Sequence, residues 1–259
     1  MNYATKPSST VLFIFEGRKT EPNIANNLAR FFINEESNSL LRASYGCNIY
    51  QLYTKIKDDP YIEMYDVIVE EIKKKQVITQ TDQDVLDIED YDEISDIYLF
   101  FDYDCHCSNA NDEHLQEMLE HFNDSQDKGL LCVSYPMVEA IRHQFGTQPT
   151  QIIHPIENDD LLGYKNWVNT GPNLSRSYHN WGAYDLNIWK EITESNLIRG
   201  NILVHQTAVL PTQQLEQFNI FEEQLSQHIP QRQIAVLSSF PFMLYDFYGK
   251  GLFPLLDNN

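Results

Sequence analysis

The chain has 259 residues, 42% of them hydrophobic and 12% aromatic. That is long and apolar enough to bury a core, and it excludes an intrinsically disordered segment. Asp and Glu number 38 against 18 Lys and Arg, a net charge of −20, which repels nucleic acid at long range and counts against a protein that coats it non-specifically, though not against an enzyme with a local basic cleft.

The first element is TVLFIF, residues 10–15, a short continuous apolar run of the kind found in strands buried on both faces. Glu16-Gly17 ends it. Thr20-Glu21-Pro22 then opens a helix with Thr20 as its N-cap and Ile24, Leu28, Phe31 and Phe32 as its apolar stripe. The alternation in CNIYQLY predicts a second strand over 47–53. A helix follows within 60–75, closed by Lys73, Lys74 and Lys75, whose charge suits a helix C-terminus. Residues 81–96 hold eight acids and no base; without a glycine at a bend they read as a solvated loop and short helix, not a Ca²⁺ loop.

IYLFF, 97–101, is the next buried strand, and it breaks into Asp102-Tyr103-Asp104. Leu115, Met118, Leu119 and Phe122 mark a helix over 109–123, Gly129 stops it, and 130–134 is a further strand. Residues 135–141 lead into another helix. Alternating strands and helices imply a mainly parallel α/β sheet flanked by helices. Residues 1–150 are assigned to this domain. Residues 151–259 are expected to be a mostly helical region packed on it, with helices over 183–194, 196–208 and 213–228.

Sites in open α/β sheets form beyond the C-terminal ends of the strands. The first strand ends in Glu16 and the third in Asp102 and Asp104, which period-two alternation puts on one side, with Tyr103 facing away. If the strands are neighbours, three carboxylates converge. Such a cluster is costly without a cation, and hard oxygen donors suit Mg²⁺ or Mn²⁺. Zinc is the rival, through Cys105-His106-Cys107. It lacks a second ligand cluster with zinc spacing, and Cys47 and Cys132 stand alone. The four cysteines also form no disulfide framework. No stretch approaches the roughly 20 apolar residues of a membrane span, and MNYATKPSST has no signal-peptide character. A cytoplasmic location is the expectation.

FIFEGRKTEPNIANNL at 13–28, LFFDYD at 99–104 and SYPMVEAI at 134–141 together resemble the Toprim domain. The Glu-Gly-x-x-Thr-Glu form is most similar to the nuclease-type Toprim proteins related to OLD and RloB. The resemblance implies a Mg²⁺-dependent nuclease cutting DNA or RNA, tRNA included, and serving as a phage-defence effector under a partner ABC-type ATPase. Asp102 and Asp104 would hold the metal. Glu16 would be a ligand or a general acid/base, and Gly17 would let the backbone approach a phosphate. Glu21 would serve a second metal, and Glu139, in a Pro-x-x-Glu element, would reach the site. For Glu21 and Glu139 a first-turn carboxylate facing a helix dipole is the alternative.

Arg18, Lys19, Arg142 and His143 are candidate substrate groups near the acids, and His106 and His114 stand beside the metal motif. Lys165, Arg176, His179 and Lys190, interleaved with Tyr178, Trp181 and Tyr184, form a second basic and aromatic group, for which core packing is the commoner use. A homo-oligomer is compatible with all of this. Two other functions stay open: a non-catalytic acidic module that binds a protein partner, and a housekeeping RNA-processing Toprim nuclease.

Overall fold

The computed structural model describes residues 9–33, 38–59, 61–105, 107–144, 151–156, 161–170 and 176–257. Strand β1 (Ser9–Phe15) leads to helix α1 (Thr20–Phe32) and then to β2 (Asn38–Ser44). Three helices follow, α2 (Ile49–Ile56), α3 (Met64–Lys73) and α4 (Gln80–Leu86). Next come β3 (Ile94–Asp102), α5 (Asp112–His121) and the short strand β4 (Asn123–Asp124), which forms an antiparallel pair with β5 (Gly129–Ser134). The remaining elements are β6 (Ile153–Pro155), α6 (Leu161–Thr170), α7 (Leu186–His205), α8 (Gln217–Glu223), β7 (Gln233–Ala235), α9 (Ser239–Tyr248) and α10 (Leu252–Asp257).

The sheet order is β2-β1-β3-β5-β4, parallel except for β4. The α/β class, the parallel sheet and the helical C-terminal region are as the sequence indicates. β1 and β3 are neighbours, with Phe15 opposite Phe100, so their C-terminal ends lie side by side. Val11 through Phe15 and Ile97 through Phe101 are all buried. Phe13 and Phe15 meet Phe100 at 5.2 and 5.4 Å, and α9 closes the face by stacking Phe240 on Phe100 at 4.7 Å. Each such side chain contributes about 1.5–3 kcal/mol by leaving water. One apolar cluster runs from Val11 to Leu256, so the sheet and the C-terminal helices share a core.

Several expected boundaries shift. The second strand is 38–44, not 47–53, where α2 forms instead. Asn48 accepts from Gln51 N–H and the Gln51 side chain accepts from Asn48 N–H, a capping box that starts a helix. Ile49, Leu52 and Ile56 then face the core at helical spacing. α1 begins at Thr20 with Lys19 in the cap position, so Thr20 is its first helical residue. Residues after Tyr135 form a short 3-10 turn, Val138–Arg142, and not an α-helix. The helices expected over 183–194 and 196–208 are one helix, α7. Asn196 in its interior is paired: it donates to Ile192 O at 2.8 Å and accepts from Ser238 N at 2.9 Å. The helix expected over 213–228 is shorter, α8 continuing as a π-turn, Gln224–His228.

Candidate active site

Glu16 follows β1 and Asp102 ends β3. The Glu16 carboxylate accepts the Asp102 backbone N–H at 3.1 Å, and Glu16 N donates to Phe100 O at 3.0 Å. The two strand ends are therefore tied together by the acid itself. Burial raises the Glu16 carboxyl to about 8, and the charges of Asp104 and Glu21 push in the same direction. Burial also holds Asp102 well above the usual carboxylate range, reinforced by Glu16, Glu21 and Glu139, while a hydrogen bond from Val138 N–H opposes it. Five carboxylates thus lie in one another's field.

Glu21 sits in the first turn of α1 and folds back over Gly17. Its Oε1 accepts Gly17 N–H at 3.1 Å. A Cβ on residue 17 would lie 2.6 Å from Glu21 Oε2, so the glycine is what lets this carboxylate close over the loop. The donor expected to meet a phosphate is engaged by Glu21 here. Burial raises the Glu21 pKa, Glu139 adds to it and Lys165 opposes it.

Glu139 is brought up by the 3-10 turn after β5 and is 1% exposed. Lys165 on α6 reaches its carboxylate at 2.8 Å. An aromatic cluster fixes α6: His143 Nδ1 and Tyr164 Oη are 3.1 Å apart, and the His143 and His154 rings lie 4.8 and 5.3 Å from Trp167. His143 is 1% exposed, and burial lowers its pKa to about 3, so it is a neutral packing group facing α6. Arg142 lies 3.4 Å over the Trp181 ring and donates to Asn169 at 2.5 Å. Its guanidinium also feels Glu139.

Arg18 and Lys19 are exposed at the mouth of the loop. Asp104 lies just past β3, half-buried, and Tyr103 turns away to donate to Asp112 at 2.9 Å. His106 lies outside the described residues. Cys105 and Cys107 are free, and burial pushes their thiols up to about 12 and about 11, so they stay protonated at neutral pH. His114 stacks on Tyr53 at 4.0 Å. Tyr178 and Tyr184 are buried, with Tyr178 donating to Glu191 and Tyr184 to Tyr178 O, which is core packing. Lys190 pairs with Asp257 and lies 3.9 Å from Glu194.

All the donors at the strand ends are carboxylate oxygens, which suits a hard dication. Among the described residues no three His, Cys, Asp or Glu side chains stand in a group ready to hold a metal ion. The sequence did not reveal the Lys165–Glu139 pair. The two residues come from separate elements, and nothing local to either signals the other. Among the described residues no helix is long and apolar enough to cross a membrane. Comparison with protein-family models, with curated proteins and with solved structures returns no match.

Proposed function

We propose that the chain is a Mg²⁺- or Mn²⁺-dependent nuclease that hydrolyses phosphodiester bonds at the C-terminal ends of β1 and β3. The observation that carries this reading is the Glu16–Asp102 junction. Two half-buried carboxylates are brought together there without enough opposing charge, an arrangement that a dication relieves. Asp102, Asp104 and Glu16 would hold the ion, with Glu21 and Glu139 available to a second. The ion would polarise the phosphoryl oxygens and lower the pKa of a bound water. Where Asp102 and Asp104 hold the ion without it, Glu16 would instead be the general acid or base that exchanges a proton with that water. Lys165 offers a positive charge beside the same carboxylates.

The resemblance to nuclease-type Toprim proteins supports the same chemistry and extends it to a phage-defence effector under an ATPase partner. Overall acidity fits delivery by a partner better than free search along nucleic acid. The experiment is a crystal soaked in Mn²⁺ and read by anomalous scattering, paired with a cleavage assay on labelled DNA and RNA. Density between Glu16 and Asp102 together with metal-dependent cleavage is expected. Full Mn²⁺ loading elsewhere, or an empty site at saturating Mn²⁺, would instead favour an acidic module that acts by binding protein.

A further inference from the structure

A cavity of about 580 Å³ opens on the far side of the β1 end from the acids. Its wall includes Arg18, Arg42 and Lys75, with Ser44, Thr79 and Thr81 between them. β2 is the edge strand of the sheet. Its alternate residues Leu41, Ala43 and Tyr45 enter the core, which turns Arg42 and Ser44 to the other face. Arg18 is laid across the turn at Gly46, where φ is +79° and a Cβ would come 3.3 Å from the guanidinium. A side chain there would be strained by that φ and would crowd Arg18.

Asp82 is the acid among the described lining residues, and it is already engaged. It takes Lys75 at 2.5 Å, Thr79 N–H at 3.0 Å and the Thr79 hydroxyl at 2.8 Å. Among the described lining residues, three cations, one of them Arg42 donating to Leu40 O at 3.1 Å, stand against one acid, in a chain whose total is −20. Concentrating scarce cations at one concave surface is the arrangement that recognises a phosphate. The position is also specific. Phe15 lines the cavity and Glu16 follows it, and the β2 turn is pinned to both: Tyr45 N donates to Phe15 O at 2.8 Å and Gly46 N to Glu16 O at 3.0 Å. The cationic wall and the acidic strand ends are the two sides of one short piece of backbone.

We propose that this cavity binds a phosphate of a nucleic-acid strand flanking the scissile bond, with Arg18, Arg42 and Lys75 as its cationic wall. The assignment to a strand, as opposed to a free anion, rests on the nuclease reading above. Such a contact holds the strand by its backbone, without base identity, and sets how far along it the acids reach.

The test uses the full chain in EDTA, so that binding is read without cleavage. Anisotropy of a fluorescein-labelled oligothymidylate is measured for the wild type, Arg18→Gln and Arg42→Gln, with thymidine monophosphate and inorganic phosphate as competitors. Each variant is expected to bind about tenfold more weakly and to lower the slope of log K against log salt by about 0.7. Thermal melting checks the fold, and Arg18, being exposed, is the variant least able to disturb it. Wild-type affinity and slope in both variants would overturn the proposal. So would thymidine monophosphate or phosphate binding as tightly as the oligomer, which would assign the cavity to a free anion. A cleavage assay in Mg²⁺ separates the two claims. Binding that depends on Arg18 and Arg42, with no cleavage by any of the proteins, would support the cavity and defeat the nuclease reading.

Discussion

Strand β3 carries an acid near each end, Asp96 buried and Asp102 half-buried, and the two are treated in opposite ways. At its start, Asp96 accepts from Ser95 at 2.8 Å and from Ser125 at 3.4 Å. Asp246 from α9 joins it, accepting Tyr98 at 2.7 Å, Ser125 at 3.1 Å and the Gln214 amide. Burial and the neighbouring Asp96 charge raise the Asp246 pKa, but these three hydrogen bonds push it back. At the other end, Asp102 and Glu16 have backbone N–H donors and otherwise mostly each other. Neutral donors that fully satisfy a buried carboxylate make a structural joint. Carboxylates left facing carboxylates are costly unless something else arrives, and that difference separates scaffold from site.

The largest effect that would sharpen this contrast is on activity. Asp102→Ala and Glu16→Ala should each lower metal-dependent cleavage by about 10²–10⁴-fold. Each change also removes an acceptor of a backbone N–H, so melting of the metal-free variants should move by no more than about 1 kcal/mol, which keeps the loss of cleavage separate from a loss of fold. Undiminished cleavage in both would break the contrast.

The reverse experiment is Asp246→Ala. It strands the Tyr98 and Ser125 hydroxyls and should cost about 2–3 kcal/mol in urea unfolding. Mn²⁺ affinity, measured by calorimetry on the folded fraction, should stay as in the wild type.

The pH dependence comes next. A carboxyl raised from 4.5 to about 8 on folding binds its proton more tightly in the native state. Metal-free stability should therefore fall as pH rises from about 4.5 to about 8 and level off above. Glu16→Gln should flatten that slope, and Mg²⁺ affinity should climb across the same window as the proton ceases to compete. A slope unchanged in the variant would remove Glu16 as its source.

The smallest effect is at the loop. Gly17→Ala should displace the Glu21 carboxylate and cost about 1 kcal/mol for the lost hydrogen bond. Its signature is loss of the contact in a crystal structure of the variant.

The elements that build the site were legible because their patterns are local. TVLFIF and IYLFF are unbroken apolar runs, and each meets its acid at the point where burial ends. β2 was not legible: Arg42 and Ser44 interrupt NSLLRAS, while the more strand-like CNIYQLY is captured by a side-chain capping box. α7 appears broken in sequence because Ser195, Asn196, Arg199 and Gly200 are buried in it, in contacts with residues far along the chain. Arg199, for one, donates to Gln144 at 2.9 Å. The adjacency of Glu16 and Asp102 could be inferred from strand-end logic. The arrival of Lys165 over Glu139 could not, since it depends on how α6 docks.

The stacking of Phe240 on Phe100 and the packing of Phe247 against Tyr98 at 6.5 Å have a consequence for folding. The sheet that positions the acids cannot shed its C-terminal helices without exposing the aromatic face of β3. A chain cut near residue 150 would present that face to water and should aggregate. The intact chain should unfold in a single cooperative transition, with catalytic ends and helical cover lost together.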